Sequence, residues 1–284
     1  MGYKISGGNM DHRDALNVVI VNFRTPDLTI NCVNSILALK VALPEDVVVV
    51  DNASPDNSYL RLRSALPSGV RLIRASMNRG FGAGVNLGMV AGTRENVLVL
   101  NPDTYFVDGS LEKALETLKT DPEIGLVGLD LTNPDGSRQY SARRFYSLLD
   151  ILGRRTSLGR SNFLRKRLSH HLMMDAWTPG LPFDAEWVMG TGFVVRRYIF
   201  EELSGMDEAY FLYMEDVDLC ARVWHAGYRV VCVPGARLVH EHQRKSSGSL
   251  INSASRYHIK SLLRFRNKFR VPLSLPPGVN GIAK

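Results

Sequence analysis

The sequence predicts an α/β fold with a Rossmann-like, mostly parallel central sheet flanked by helices. Short apolar, β-branched runs alternate with polar, helix-like stretches from 16 to 103, as is typical of βαβ units. Each run ends in polar residues, at the place where strands of an open sheet present side chains to a ligand. Beyond 121 this repeat is lost, so we expect the second half to be mixed.

Length and composition indicate a globular protein of enzyme size. The 284-residue chain is 45 % hydrophobic, which is enough for a substantial core. No run approaches the roughly 20 apolar residues that span a bilayer, and the polar start lacks the apolar centre of a signal peptide. We therefore expect a cytoplasmic protein. The three cysteines form no CxxC pair and are predicted to be buried thiols: Cys32, Cys220 and Cys232.

The first two predicted strands end beside candidate ligand-binding residues. The run LNVVIVNF (16–23) leads through a loop into a helix, with Asp27 near its cap. The run VVVV stops at Asp51. A carboxylate there can accept hydrogen bonds from a ribose hydroxyl or a base N–H, and capping a helix is its alternative role.

A glycine-rich segment follows the third predicted strand (70–76). Its glycines at 80, 82, 84 and 88 do not form the GxGxxG motif, which disfavours NAD binding. Glycine lets backbone N–H groups approach a phosphate or sugar, and Asn78 and Asn86 add amide donors. A turn that packs a helix on the sheet is the structural alternative.

The fourth predicted strand, NVLVLNPDT, ends in Asn101, Pro102 and Asp103. The proline fixes the backbone, so the two side chains that flank it are expected to project to the same side. Such an oxygen pair suits a hard divalent cation that also binds phosphate oxygens. The same four residues, Asn-Pro-Asp-Thr, are also good turn formers.

Three carboxylates cluster where a helix is predicted to begin, in the segment YMEDVDLCARVW (213–224). Acidic residues at a helix N-terminus can simply complement the helix dipole. The apolar lead-in, however, would shield this turn and raise a carboxylate pKa toward that of a general base. Asp218 is expected to pair with Arg222, which leaves Glu215 and Asp216 for chemistry.

Two histidines, His240 and His242, follow the strand-like run RVVCVPGARLV. Their spacing places both on one side of an extended segment, so one of them can complete a metal site with Asp103. A polar loop is the alternative. An oxygen-rich ligand set favours Mg²⁺ or Mn²⁺ over zinc.

Seven segments, taken in order, closely resemble family 2 glycosyltransferases and especially their rhamnosyltransferase branch. The segments, which fall between 16 and 247, are VVIVNFRT, VVVVDNAS, NRGFGAGVN, VLVLNPDT, VMGTGFVVRR, YFLYMEDVDLCARVWHAGY and RLVHEHQRKS. The resemblance implies the GT-A fold as a single domain over 16–247. In it, a nucleotide-binding half (16–104) precedes an acceptor-binding half (105–247). The remaining parts would be an N-terminal extension (1–15) and a basic C-terminal extension (248–284).

The resemblance also implies roles for individual residues. Asp216 matches the catalytic base of the family, with Glu215 as the fallback. Asp103 matches the last aspartate of a DxD motif that binds metal and diphosphate, although Asn101 replaces the first acid and brings no charge. A metal contact is implied for His240. Contacts with the donor sugar or the acceptor are implied for Gly190, Thr191 and Gly192. Contacts with the nucleoside are implied for Asn22, Phe23, Asp51 and Asn78.

The implied activity is inverting transfer of a sugar from a nucleotide diphosphate, with L-rhamnose from dTDP-rhamnose as the leading donor and UDP-sugars open. A divalent metal, Mg²⁺ or Mn²⁺, is the expected cofactor. A sugar nucleotidyltransferase is one alternative, but VNFRTPD lacks the glycine-rich loop expected after its first strand. A non-catalytic module that binds sugar nucleotide or glycan is another, and the intact Asp103, Asp216 and His240 argue against it.

The chain carries 35 Lys and Arg against 28 Asp and Glu. We expect the excess to meet a glycan or polyprenyl-diphosphate-linked acceptor at the inner membrane leaflet, with solvated surface charge as the alternative. No nucleic-acid reader motif accompanies it, so nucleic acid is not an expected partner. The excess falls in two groups, which are Arg138, Arg143, Arg144, Arg154, Arg155, Arg160, Arg165, Lys166 and Arg167, and then Lys260, Arg264, Arg266, Lys268 and Arg270.

Overall fold

The computed structural model describes residues 16–145, 162–241, 253–271 and 278–282. The predicted N-terminal extension and His242 lie outside the described residues. The strands are β1 (Leu16–Asn22), β2 (Val47–Asp51), β3 (Arg71–Arg74), β4 (Asn96–Leu100), β5 (Thr104–Tyr105), β6 (Ile124–Thr132), β7 (Arg138–Gln139), β8 (Ala142–Arg143), β9 (Phe183–Asp184), β10 (Trp187–Val188), β11 (Gly192–Arg196) and β12 (Arg229–His240).

Helices flank these strands on both sides. They are α1 (Pro26–Ala38), α2 (Ser58–Ala65), α3 (Phe81–Met89), α4 (Leu111–Thr120), α5 (Asn162–His171), α6 (Arg197–Glu202), α7 (Glu215–His225), α8 (Ser253–Phe269) and α9 (Gly278–Ile282). The stretch 138–171, predicted as irregular, therefore contains β7, β8 and α5. Its many basic residues hide the sequence pattern of these short elements, which are stabilised by pairing with distant segments.

The central sheet has the order β3-β2-β1-β4-β11-β6-β12-β5. Its first four strands are parallel, and Asn22 of β1 lies in register with Asp51 of β2. Strand β11 then runs antiparallel to both β4 and β6, while β6 and β12 are parallel. The prediction of a parallel first half and a mixed second half is thus confirmed.

Alternate residues of β1 enter two cores on opposite faces of the sheet. Val18 and Ile20 join the core under α1 and α4, whereas Val19 and Val21 join the core under α3, α7 and α8. Side chains of successive strand residues point to opposite faces, and burial of both faces explains why the runs are apolar throughout. In the described part of the chain, no helix is both long and apolar enough to cross a membrane.

The glycine-rich segment packs α3 closely against the sheet. A Cβ at Gly84 would lie 2.6 Å from Val21 Cγ1, and one at Gly88 would lie 2.5 Å from Val19 Cγ1. Neither position has room for a side chain, so the structural alternative holds for both glycines. Gly80 has a φ of 102°, and its Cβ would collide with the backbone of Phe211, which brings the two halves into contact.

The cysteines are free and buried, as predicted. Burial raises the pKa of the Cys32 thiol to about 12 and also raises those of Cys220 and Cys232. Such thiols stay protonated at neutral pH and behave as small apolar side chains.

Candidate active site

Asn22 and Asp51 form a buried network at the carboxyl ends of β1 and β2. Asn22 Nδ2 donates to Asp51 Oδ1 at 2.8 Å, and the Ser54 N–H donates to Asp51 Oδ2 at 3.2 Å. The Asn22 Oδ1 atom accepts from the hydroxyl of Thr29 at 3.0 Å. Both predicted residues therefore shape the turns that follow the strands, and their direct contact with a nucleoside stays a prediction.

A second amide network joins Asn52, which directly follows β2, to the glycine-rich segment. Asn52 Nδ2 donates to Asn78 Oδ1 at 3.1 Å and to the Gly80 carbonyl at 2.9 Å, while Gly80 N–H donates to Asn78 Oδ1 at 2.9 Å. Asn52 was not predicted as a site residue, although its place directly after Asp51 was a usable signal. Phe23 exposes 42 % of its surface, so its ring is available for stacking.

Asn86 has a structural role, and its predicted contact with substrate stays a prediction. Its Nδ2 donates to the Met206 carbonyl at 2.9 Å and to Glu208 Oε1 at 3.0 Å, and its Oδ1 accepts from the Met206 N–H at 2.8 Å. The amide is thus engaged on both sides. It ties α3 of the first half to the loop before α7.

The Asn-Pro-Asp turn and His240 lie together, as predicted. Strand β5 pairs Thr104 with His240, and the Glu241 N–H donates to the Asp103 carbonyl at 2.8 Å. This pairing brings His240 Nε2 to 3.4 Å from Asp103 Oδ2. Asp103 Oδ1 is buried and has no hydrogen-bond partner in the described chain.

Gln139, which was not predicted, orients the His240 ring. Its Nε2 donates to Asn133 Oδ1 at 2.7 Å and to the His240 carbonyl at 2.9 Å, so its Oε1 is the atom 2.7 Å from His240 Nδ1. An amide oxygen can only accept, so Nδ1 donates to Gln139 and the ring is held with Nε2 toward Asp103. A hydrogen bond of this kind typically fixes the tautomer of a metal-binding histidine.

These atoms fit a divalent cation. Asp103 has one unpartnered oxygen, Oδ1, and its other oxygen, Oδ2, faces the His240 ring; Mg²⁺ commonly binds through one or two protein groups plus substrate phosphates. Within the described ranges, no cluster of three His, Cys, Asp or Glu residues could hold a metal alone. The diphosphate of a bound nucleotide would therefore have to supply further ligands.

The predicted base, Asp216, lies in the first turn of α7, directly after a strained turn. Tyr213 and Met214 both have left-handed backbones, with φ values of 66° and 72°. The Asp216 carboxylate accepts from the Gly190 N–H at 2.7 Å and from the Val217 N–H at 2.8 Å. Two backbone donors thus hold the carboxylate in one orientation.

The segment of Gly190, Thr191 and Gly192 joins the two parts of the site. Gly190 donates to Asp216, and the next carbonyl, that of Thr191, accepts from the Asn101 N–H at 2.9 Å. One dipeptide therefore contacts both the predicted base and the predicted metal-binding turn. A Cβ at Gly190 would lie 3.1 Å from the Cβ of Asp216, so the close approach depends on glycine.

The acidic pair at the start of α7 has perturbed protonation. Burial, followed by the charge of Asp216, raises the pKa of Glu215 to about 8, and Glu215 Oε2 has no hydrogen-bond partner among the described residues. Burial also raises the pKa of Asp216, and the two backbone donors oppose that effect. A carboxylate with a raised pKa is a stronger base than an exposed one.

Asp218 takes no part in the acidic pair. It is fully buried, and its Oδ2 accepts from Arg222 Nε at 2.7 Å, which confirms the predicted pairing. Lys268 of α8 also places its Nζ 2.7 Å from Asp218 Oδ1. Helix α8 therefore braces helix α7, which carries Asp216.

Part of the basic excess is engaged inside the protein. The side chains pair as follows: Arg138 with Asp130, Arg144 with Glu186, and Arg264 and Lys268 with Asp207. These four residues hold protein carboxylates, and the predicted contact of the basic groups with an acceptor or a membrane stays a prediction. Arg154, Arg155 and Arg160 lie outside the described residues.

Comparisons with known proteins show that this mostly parallel sheet has the GT-A fold of glycosyltransferases. Residues 17–204 match the model of the family described as Glycosyl transferase family 2. The chain belongs to this family, and it is a rhamnosyltransferase-like glycosyltransferase. The resemblance inferred from the seven motifs is thus confirmed.

Relatives and solved structures give further detail. The chain is 31 % identical over 277 residues to the N-acetylglucosaminyl-diphospho-decaprenol L-rhamnosyltransferase of Mycobacterium tuberculosis (strain ATCC 25618 / H37Rv), covering 89 % of this chain and 84 % of the relative. It is 35 % identical over 86 residues to rhamnosyltransferase WbbL of Escherichia coli (strain K12), covering 30 % and 32 % of the two chains. The fold is shared with mannosyltransferase PcManGT from Pyrobaculum calidifontis, solved with GDP-Man and Mn²⁺, at a TM-score of 0.64 and 16 % identity, covering 95 % of this chain and 69 % of that one.

Proposed function

We propose that the protein transfers L-rhamnose from dTDP-rhamnose to a hydroxyl of a polyprenyl-diphosphate-linked glycan, with inversion at the anomeric carbon. The Mycobacterium tuberculosis relative is named for rhamnosyl transfer to a diphospho-decaprenol-linked sugar, and the similarity covers most of both chains. Asn22, Phe23, Asp51 and Asn78 would contact the nucleoside. The reaction would take place at the cytoplasmic face of the membrane.

One observation carries the mechanistic part of this proposal. The Gly190–Thr191 dipeptide hydrogen-bonds to Asp216 on one side and to Asn101 on the other. A base and a diphosphate-binding turn held by neighbouring peptide groups would flank the donor sugar. Such positioning would favour attack from the face opposite the leaving group.

The proposed step balances as a single displacement. The Asp216 carboxylate takes the proton of the acceptor hydroxyl, and the hydroxyl oxygen forms a bond to the anomeric carbon. The bond from that carbon to the donor diphosphate breaks, and its electron pair leaves with the nucleotide diphosphate. No enzyme nucleophile is used, so the configuration inverts.

Asp103 and His240 would hold the divalent ion. A bound Mg²⁺ or Mn²⁺ would supply positive charge for the departing diphosphate. The unpartnered Asp103 Oδ1 and the position of His240 Nε2, 3.4 Å from Asp103 Oδ2, support this assignment. Asn101 contributes no charge to the turn, so affinity for the ion should depend strongly on the nucleotide diphosphate.

A panel of nucleotides tests the donor. Thermal unfolding of the full chain is measured with dTDP, UDP and GDP, each with and without Mn²⁺, and turnover is then followed with the matching sugar nucleotides. We expect the largest metal-dependent stabilisation with dTDP, turnover with dTDP-rhamnose, and a product of inverted anomeric configuration by NMR. Stabilisation by GDP alone, or a retained configuration, would refute this part of the proposal.

A further inference from the structure

Helix α8 (Ser253–Phe269) has two faces of different character. On one face, Leu262 and Phe265 enter the core, and the Ser261 hydroxyl donates to the Leu212 carbonyl at 3.0 Å. On the other face, Ile259 exposes 51 % and Leu263 exposes 44 % of its surface. A second apolar stripe on a surface helix requires an explanation, because the core already accounts for the first.

Basic residues accompany the exposed apolar stripe. Arg256, Lys260 and Arg270 are exposed, and none of them forms an ion pair in the part of the chain that the structure describes. By contrast, Arg264 and Lys268 bind Asp207 on the inner side of the helix. The whole of α8 contains no Asp or Glu. The outward face is therefore both apolar and positively charged.

The N-terminal part of α8 contacts the turn that precedes the acidic pair. The ring of Tyr257 stacks on Phe211 with centroids 4.6 Å apart, and the His258 ring lies 5.0 Å from that of Tyr213. Tyr213 is the first left-handed residue of the turn before α7 and is itself exposed. A partner seated on α8 would therefore lie on a helix that contacts the turn before Asp216.

We propose that the outward face of α8, defined by Arg256, Ile259, Lys260 and Leu263, docks on an anionic phospholipid bilayer together with Arg270, which directly follows the helix. Mixed aliphatic and basic side chains on one helix face are typical of helices that lie in the membrane interface. The aliphatic groups enter the headgroup boundary, while the cations face lipid phosphates. The inference rests on the proposed lipid-linked acceptor, whose reactive sugar this docking would bring to Asp216.

Vesicle flotation of the full chain tests the docking surface. Vesicles of phosphatidylcholine alone are compared with vesicles that also contain phosphatidylglycerol, at low salt. The variants are Ile259→Ser with Leu263→Ser, and Arg256→Gln with Lys260→Gln and Arg270→Gln. A basic residue near an anionic surface contributes about 1 kcal/mol to binding, so each of the three substitutions of a basic residue should weaken vesicle binding about fivefold.

Matched controls lie on other helices and loops of the protein. Leu60→Ser with Val90→Ser removes two aliphatic groups that are at least as exposed, and Lys40→Gln with Arg63→Gln and Lys119→Gln removes three exposed cations. We expect these controls to float like the unmodified protein. Equal recovery with neutral and anionic vesicles, or equal losses in the control and α8 variants, would overturn the docking surface.

A second measurement separates this inference from the activity. Turnover with a short-chain, water-soluble acceptor should be unchanged in the α8 variants, whereas turnover with a long-chain acceptor in anionic vesicles should fall with binding. Loss of both activities in a variant with a normal thermal transition would give the face a role inside the enzyme and contradict docking. Absence of sugar transfer in the unmodified protein would refute the proposed function while leaving the flotation result valid.

Discussion

The two halves of the molecule build their parts of the site in different ways. In the first half, parallel strands β1 and β2 deliver Asn22 and Asp51 to one edge, because consecutive βα units repeat the same geometry. In the second half, Asp216 is positioned by a left-handed turn and by a glycine from a distant segment. His240 is positioned by strand pairing with Thr104. Repetition of βα units governs the first half, and individual contacts govern the second.

This contrast predicts that chemistry is most sensitive in the second half. Asp216→Asn should fold normally and bind nucleotide, but lose about 10²- to 10⁴-fold in turnover, because an amide cannot take the acceptor proton. Initial rates at saturating donor measure the loss. Glu112→Gln on the exposed face of α4 is the control and should keep full activity. Unchanged turnover in Asp216→Asn would remove this residue from the role of base.

The orienting contact at His240 offers a finer test of the same region. Gln139→Leu should lower Mn²⁺ affinity in the presence of dTDP by about 10- to 100-fold, because the ring loses the acceptor that fixes its tautomer. Gln139→Glu keeps an acceptor opposite Nδ1 and should restore binding. Electron paramagnetic resonance of free Mn²⁺ measures both affinities. Equal affinity in the leucine and glutamate variants would reduce Gln139 to a packing residue.

The brace between α8 and α7 should contribute stability and leave the chemistry in place. Lys268→Met leaves the buried Asp218 with Arg222 as its ion-pair partner, at a cost of about 1–3 kcal/mol in the free energy of unfolding. Urea denaturation reports this change. Lys260→Met, on the outward face of the same helix, should unfold at the same urea concentration as the unmodified protein. Equal destabilisation by the two variants would argue against a specific brace.

The smallest effect is expected at the joining dipeptide. In Gly190→Ala the added Cβ would lie 3.1 Å from Asp216 Cβ, so the carboxylate must shift by a few tenths of an ångström. A displacement of 1 Å can cost about 10²-fold, so turnover should fall only several-fold, with unchanged donor KM. Gly109→Ala has open space around its Cβ and serves as the control. A raised KM with normal turnover would place the effect on donor binding instead.

The sequence predicted the fold and several site residues because their signals are local. Apolar runs with polar ends predicted the parallel strands, and acids after an apolar lead-in marked Glu215 and Asp216. The first two signals need no knowledge of how remote segments pair. The proximity of Asp103 and His240 does depend on the pairing of β5 with β12, and it was predicted because both residues fall in motifs of the family.

The missed features depend on remote pairing. Asn86 was predicted to contact substrate, yet its partner Met206 lies 120 positions away, and an amide in a glycine-rich segment looks the same in either role. Gln139 belongs to a two-residue strand and contacts His240 across 101 positions. Neither periodicity nor motif spacing distinguishes a glutamine that orients a ligand from one that faces solvent.

The central claim is that Asp103 binds the metal and Asp216 acts as the base, on the two sides of the Gly190–Thr191 dipeptide. Its most direct test is a parallel titration of dTDP with Mn²⁺ and measurement of turnover in Asp103→Asn and Asp216→Asn. The account predicts that Asp216→Asn keeps metal-dependent dTDP affinity and loses turnover, whereas Asp103→Asn loses both. Metal-dependent affinity preserved in Asp103→Asn, or lost in Asp216→Asn, would contradict it.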